Sequence, residues 1–306
     1  MGVRTTDAAE TVRPESGTLR TLLREMRPKQ WTKNVLVFAG LVFSLNLPNV
    51  GDVAMAVAAF VIFCAISSSA YIINDLADLE TDRQHPVKRH RPIASGTLGA
   101  TTAGWTSAVL LFAALPTAYL LSPTFALVCA TYFMTVLLYS FYLKHIVLLD
   151  VFTLSAGFVL RAVAGTVVIG VTLSPWLLVC TLLGSIFIAL AKRRHELLLL
   201  EDGAAGRRRV LDQYSTLFLD QMIAIVTSSI IIAYSLYTFS ARTLPDDYTM
   251  MLTIPFVLYA LFRYLYLIYL RNEGGSPETL FLRDGPLRTA VMLWVVSSII
   301  VLYYLS

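Results

Sequence analysis

Charge is what this 306-residue chain has least of: Asp, Glu, Lys and Arg make up 14% of it, against about 25% in a typical soluble domain. With 57% apolar residues, a single water-soluble domain is excluded. Cysteine is scarce too: Cys64, Cys129 and Cys180 are the only three. No CxxC or Cys/His spacing links them, which excludes a disulfide scaffold and a thiolate metal site and leaves packing as their role. The 16 glycines follow no repeat, so a collagen-like chain is excluded. A mean hydropathy of +0.68 excludes disorder. An apolar leader is also missing: the first 30 residues hold four acids and six bases and no apolar run, unlike a signal peptide. Residues 1–30 read as a flexible cytoplasmic tail ending in a short interfacial helix over 19–26.

What the chain has in abundance is long uncharged runs. A helix needs about 20 mostly apolar residues to cross a bilayer. Residues 34–51, 53–74, 221–241 and 289–306 each predict one crossing, and 248–270 predicts another that runs past Arg263. The run 92–143 breaks near Ser122-Pro123 and makes two, and 146–191 breaks at 170–175 and makes two more. The expected fold is therefore all-α, a membrane protein with nine transmembrane helices spanning 31–306. With the N-terminus inside, 21 of the 24 Lys and Arg lie on the cytoplasmic side, a strong positive-inside pattern. Localisation in the plasma (inner) membrane follows, multi-pass, with the polar loops 75–97 and 192–215 capping the site from the cytoplasm.

Chemistry concentrates where the second span emerges. Four of the 20 acids lie in Asn74-Asp75-Leu76-Ala77-Asp78-Leu79-Glu80-Thr81-Asp82. On a continuing helix at about 100° per residue, Asp75, Asp78 and Asp82 share one face and Glu80 points elsewhere. Carboxylates stacked in this way repel unless a cation lies between them, and Mg²⁺ commonly takes one or two carboxylates plus substrate phosphates. A solvated acidic helix end is the plainer alternative, set against a membrane edge where charge is otherwise positive. Immediately downstream come Arg83, Lys88, Arg89 and Arg91, suited to phosphate oxygens, although topology alone would also place bases there.

The order of acids, bases and Arg91-Pro92-Ile93-Ala94-Ser95-Gly96 resembles the UbiA-type intramembrane prenyltransferase superfamily, whose signature is N-D-x-x-D-x-x-x-D, a basic stretch and R-P-x-x-S-G. The resemblance implies a helical bundle around a central cavity open to the cytoplasm, with Mg²⁺ holding a diphosphate. Where most of that superfamily carries a second aspartate-rich motif, this chain reads Lys192-Arg193-Arg194-His195-Glu196. Those residues, with Arg27-Pro28-Lys29-Gln30-Trp31-Thr32-Lys33-Asn34, Leu143-Lys144-His145, Leu160-Arg161 and Leu282-Arg283-Asp284, resemble the decaprenyl-phosphate phosphoribosyltransferase branch.

That branch implies transfer of 5-phosphoribose from phosphoribosyl diphosphate to a polyprenyl phosphate, with pyrophosphate released, in the synthesis of cell-wall arabinan or a related glycolipid precursor. It assigns Asp75, Asp78 and Asp82 to Mg²⁺. Asp75, Asp78, Lys192 and Arg193 become the catalytic set, and Lys33, Asn74, Arg83, Lys88, Arg91, Lys144, Arg161 and Glu196 the substrate-binding set. The attacking lipid phosphate is already anionic at neutral pH, so His85, His90, His145 and His195 are not needed as bases. Glu196 is expected to pair with Lys192 one turn before it. Arg161, eleven residues beyond Asp150 and roughly 16 Å along the helix, is expected to bind phosphate or to pair with a carboxylate such as Asp150, and Arg263 to snorkel. The partners implied are phosphoribosyl diphosphate, a polyprenyl phosphate and the bilayer, with no nucleic acid and a homo-oligomer left open. Two rivals remain: a prenyl transfer from prenyl diphosphate to an aromatic or isoprenoid acceptor, and a secondary transporter, whose acids would sit at the midplane.

Overall fold

A computed structural model describes residues 18–201, 209–241, 244, 248–275 and 277–305, and every regular element among them is helical. Residues 1–17 of the expected tail and 202–208 of the expected second polar loop lie outside the described residues. Helix α1 (Thr18–Glu25), where the interfacial helix was expected, leads through a 3₁₀ segment (Pro28–Leu36) into α2 (Val37–Phe43). There follow α3 (Val50–Ala77), the short α4 (Leu79–Gln84), α5 (Ala100–Leu121), α6 (Pro123–Phe141), α7 (Leu149–Val168) and α8 (Pro175–Glu201). The chain closes with α9 (Thr216–Ser240), α10 (Ile254–Leu270), α11 (Pro277–Arg283) and α12 (Gly285–Tyr304).

Eight helices among the described residues are long and apolar enough to cross a membrane: α3, α5 to α9, α10 with its 3₁₀ lead from Thr249, and α12. The ninth expected span, 34–51, takes another form. Its first part is the 3₁₀ segment and α2, and the chain then turns at Ser44 to Asn49. Pro48 cannot continue a helix and disfavours helical backbone at the residue before it. Asn49 caps α3 instead, its side chain accepting from the Gly51 N–H at 3.0 Å.

The other breaks fall where the sequence places them, for local reasons. Ser122 caps α6 by accepting from the Phe125 N–H at 3.3 Å, with Pro123 in the first turn. Gly170, at φ 69°, follows α7 in the left-handed conformation that ends helices, and α8 opens on Pro175.

Two apolar cores hold the bundle. One gathers Phe63, Phe125 and Tyr132 from α3 and α6 against α5 and α7. The other gathers Leu190, Leu219, Ile223 and Leu267 from α8, α9 and α10. The outer faces stay apolar, with Phe112 77% and Leu120 84% exposed, as a surface facing lipid requires. Helix α2 crosses α7 at glycine: a Cβ on Gly165 would stand 1.8 Å from the Val37 carbonyl oxygen. This contact seats the 3₁₀ segment deep enough for Asn34, fully buried, to reach α7.

Gly165→Ala is therefore expected to cost about 1–3 kcal/mol through overpacking against backbone, read as a lower unfolding temperature in detergent. Gly104→Ala, where an added Cβ meets nothing within 4 Å, is expected to leave that temperature unchanged or raise it.

Candidate active site

The acidic segment does not continue as one helix. Helix α3 stops at Ala77, and Asp78 (φ −93°, ψ 8°) is the hinge into α4. The single carboxylate stripe expected from helical spacing is thereby divided. Asp75 and Asp82, 2% and 1% exposed, converge on one Arg91 nitrogen, Nη1, which lies 2.9 Å from Asp75 Oδ1 and 2.5 Å from Asp82 Oδ2. Asp78 turns to Lys144 instead, 2.6 Å from its Nζ, and also accepts a hydrogen bond from the Asn74 amide at 3.4 Å. Lys88 stands 3.5 Å from Asp82. Arg83 is not drawn in: it is exposed and pairs with Glu80 at 2.9 Å, a solvated contact of little energetic weight.

Both flanking motifs serve this cluster. In Arg91-Pro92-Ile93-Ala94-Ser95-Gly96, the Ser95 N–H donates to the Arg91 carbonyl at 2.8 Å, the Ser95 and Thr97 hydroxyls donate to the Pro92 carbonyl, and Gly96 takes φ 78°. Ile93 and Leu98 are buried beside Ile72 of α3, so the turn holds Arg91 over the end of that helix. In Arg27-Pro28-Lys29-Gln30-Trp31-Thr32-Lys33-Asn34, Arg27 forms an ion pair with Asp75 and lies 5.4 Å above the Tyr71 ring. Its φ of 55° is rare outside glycine. Ser68 fixes this elbow, donating to the Met26 carbonyl at 2.9 Å and accepting from Trp31 Nε1–H at 3.1 Å. Lys33 is half-buried on the same segment.

A cavity of about 240 Å³ opens at this cluster, its walls including Arg24, Glu25, Arg27, Asp75, Lys88 and Arg91. A second cavity, about 340 Å³, is lined by uncharged residues, among them Ile73, Ser107, Leu111, Phe112 and Phe133. Glu25 is the site residue that sequence reasoning missed. It is 1% exposed, and neither of its oxygens receives a hydrogen bond from a described N–H or O–H donor. Burial, and then contact with Asp75, push its carboxyl up to about 8. A faint signal exists in the sequence: Glu25 lies one turn after Thr21 and three residues after Leu22, on the face of α1 that docks against α3.

The basic cluster at the exit of α8 is disposed differently. Arg193, 1% exposed, spends its guanidinium within the protein: Nε donates to Asp150 at 2.5 Å, Nη1 to Glu196 at 2.5 Å and Nη2 to Tyr139 at 3.2 Å. Tyr214 donates to the other Asp150 oxygen at 2.7 Å. Arg194 donates to Asp220 at 2.6 Å and lies over Tyr269, and Lys192 is half-buried beside them. Glu196 thus meets Arg193 at i,i+3. Arg161 does not pair with Asp150. Its Nε donates to Asn34, its Nη1 to the Gly157 carbonyl and its Nη2 to Tyr132, each at 2.7 Å, and the Tyr132 ring lies below it at 4.6 Å. The 3₁₀ segment supplies Asn34, α6 supplies Tyr132 and α7 itself the Gly157 carbonyl, while Arg193 already occupies Asp150. Arg263 pairs with Asp284 at 2.8 Å, in the structural role expected of it.

Among the described residues no three of His, Cys, Asp and Glu are gathered as a ligand shell, so the trio Asp75, Asp78 and Asp82 does not form a ready-made cage. The donor chemistry nonetheless suits a hard cation. Asp75 presents carboxylate oxygens at the wall of the cavity, and Glu25 beside it has no donor. Mg²⁺ takes one or two carboxylates and completes its shell with phosphate and water.

The family model described as "UbiA prenyltransferase family" matches residues 35–284. Decaprenyl-phosphate phosphoribosyltransferase of Mycolicibacterium smegmatis is 35% identical over 302 residues, covering 94% of this chain and 94% of that protein. The protein of the same name from Corynebacterium glutamicum is 34% identical over 292 residues, 92% of this chain and 86% of its own length. Among solved structures, a UbiA homolog from Archaeoglobus fulgidus bound to GPP and Mg²⁺ superimposes with a TM-score of 0.70 at 17% identity, over 92% of this chain and 99% of that one, a likeness of fold.

Removing Arg193 alone is expected to leave Asp150 buried and uncompensated, at about 3–5 kcal/mol. Arg193→Met should therefore lower the unfolding temperature sharply, and the double change Arg193→Met with Asp150→Asn should recover a measurable part of the loss.

Proposed function

The chain belongs to the UbiA prenyltransferase family, and we propose that it transfers 5-phosphoribose from phosphoribosyl diphosphate to a polyprenyl phosphate, releasing pyrophosphate. The observation that carries this reading is the crossed pairing at the end of α3. Asp75, Asp78 and Asp82 are each held by a cation, Arg27, Arg91, Lys144 or Lys88, and Arg27, Asp75, Lys88 and Arg91 line the charged cavity. Such a lattice is complementary to a divalent cation carrying a diphosphate, because carboxylates released to the metal free their cations for phosphate oxygens. The names of the relatives support the sugar donor and the lipid acceptor.

In the proposed reaction the bond from ribose C1 to the diphosphate oxygen breaks, a bond from C1 to a lipid phosphate oxygen forms, and pyrophosphate leaves with both electrons. No proton is transferred. Asp75 and Asp78 would hold Mg²⁺, which supplies charge neutralisation at the leaving diphosphate. Arg27, Lys88 and Arg91 bind the donor's phosphates where they already line the cavity, and Asp82 positions Arg91 and Lys88. Lys144 exchanges Asp78 for phosphate, and Asn74 orients Asp78. Lys33 and Lys192 lie half-buried at the same end and complete the phosphate contacts. Arg193 and Glu196 act as positioning residues that fix α8 against α7. Arg161 ties Asn34 to α7 and so seats the segment that presents Arg27. The exit of α8 offers Arg193 bound to Asp150 in place of a second carboxylate cluster, which favours one metal site and a donor rich in phosphate over a prenyl diphosphate.

The same reading sets topology. The 3₁₀ segment and α2 form the ninth crossing, since nine residues at about 2.0 Å and seven at about 1.5 Å reach roughly 28 Å. The charged cluster and the N-terminus face the cytoplasm across the inner membrane.

In an assay of purified protein with Mg²⁺ and polyprenyl phosphate, label is expected to enter the lipid from phosphoribosyl diphosphate; label transferred only from prenyl diphosphate to an aromatic acid would overturn the sugar donor. Asp75→Asn and Asp78→Asn are each expected to lower turnover by about 10²–10³ while leaving the protein inserted. Lys192→Ala should raise the KM of the sugar donor more than that of the lipid.

A further inference from the structure

Glu25 is a buried acid with no donor, set against a second buried acid. Its carboxyl meets Asp75 at the wall of the charged cavity, and neither of its oxygens receives a hydrogen bond from the described residues. Native structures rarely leave such oxygens orphaned, and an ion absent from the coordinates is among the recognised causes. Two carboxyl groups in contact away from water persist only where a proton or a cation lies between them.

The placement is not an accident of a loose end. Helix α1 buries Thr21 and Glu25 and packs Leu22 against the turn at Ile93 and Leu98. Ser68 and Trp31 pin the residues that follow to α3. The side chain is thus built into the site by the same contacts that orient Arg27.

We propose that Glu25 is a ligand of the divalent cation, bridged through it to Asp75, so that the interfacial helix adds a carboxylate to those of Asp75 and Asp78. This rests on the reading that a divalent cation binds at the end of α3. Carboxylates drawn from two elements, with phosphate and water for the remaining positions, suit a hard cation such as Mg²⁺. Arg24, Arg27, Lys88 and Arg91 around the same cavity then face the phosphate side of the ion.

The test uses Mn²⁺ as the probe and no lipid or sugar donor. Full-length protein in detergent is titrated with Mn²⁺ and followed by electron paramagnetic resonance, with and without pyrophosphate. The wild type is expected to bind Mn²⁺ and Asp75→Asn to lose it. Glu25→Gln should weaken binding about tenfold or more, and Glu80→Gln, on an exposed acid of the same segment, should bind as the wild type does. The rise in unfolding temperature on adding Mn²⁺ should shrink in parallel in Glu25→Gln. If Glu25→Gln does not fold, Glu25→Asp is titrated, and a weakened affinity is again expected. Wild-type affinity in either Glu25 variant would overturn the proposal and leave Glu25 sharing only a proton with Asp75. A wild type that binds no Mn²⁺ in either condition would overturn it together with the metal reading. Absence of phosphoribosyl transfer alongside Glu25-dependent Mn²⁺ binding would overturn the substrate assignment and leave this proposal standing.

Discussion

One guanidinium nitrogen, Arg91 Nη1, shared between Asp75 and Asp82, is the contact on which the charged end of the molecule depends. Each of these carboxylates is almost wholly out of water, and an unpaired charge there would cost several kcal/mol. The shared nitrogen removes that cost for both. It also folds the segment after α4 back over α3, carrying Lys88 with it, while Arg27 closes the opposite side. The α1 elbow, the acidic hinge and the R-P-x-x-S-G turn are therefore one electrostatic unit assembled from three stretches of chain.

A second ionic hub, Arg193 with Asp150, Glu196, Tyr139 and Tyr214, behaves as its counterpart. Its partners saturate it, and it stands where a related chemistry would call for a second metal. The difference between the two hubs is one of access. The α3 hub borders a cavity with charged walls, so its pairs can be exchanged for a ligand's charges. The α8 hub is packed among α6, α7 and α8, so exchange would leave Asp150 buried and unpaired. Similar residue types are thus open to a ligand in one place and closed off in the other.

Much of this was legible in the residues. Span boundaries at Ser122-Pro123 and between Gly170 and Pro175 follow from capping and proline chemistry that acts within a few residues. The motif order from Asn74 to Gly96 marked the stretch whose acids and bases converge at the end of α3, because such charges at the edge of an apolar span are drawn to one another. The helical projection of Asp75, Asp78 and Asp82 failed at Asp78, where the helix ends and the wheel no longer applies. Equally, Glu25 and the partners of Arg161 were invisible, since contacts between residues 25 and 75, or 34 and 161, follow from how α1 and α2 dock.

Composition, periodicity and local caps were enough to determine a helical membrane protein, the positions of most of its spans and the segment where acids and bases cluster, because each is set by transfer free energy and by hydrogen bonds a few residues long. Which cation meets which carboxylate was decided only by the tertiary structure. Pairing at that level depends on the crossing of α2 with α7 at glycine and on the docking of α1 against α3, and a linear pattern of charges does not encode where those surfaces meet.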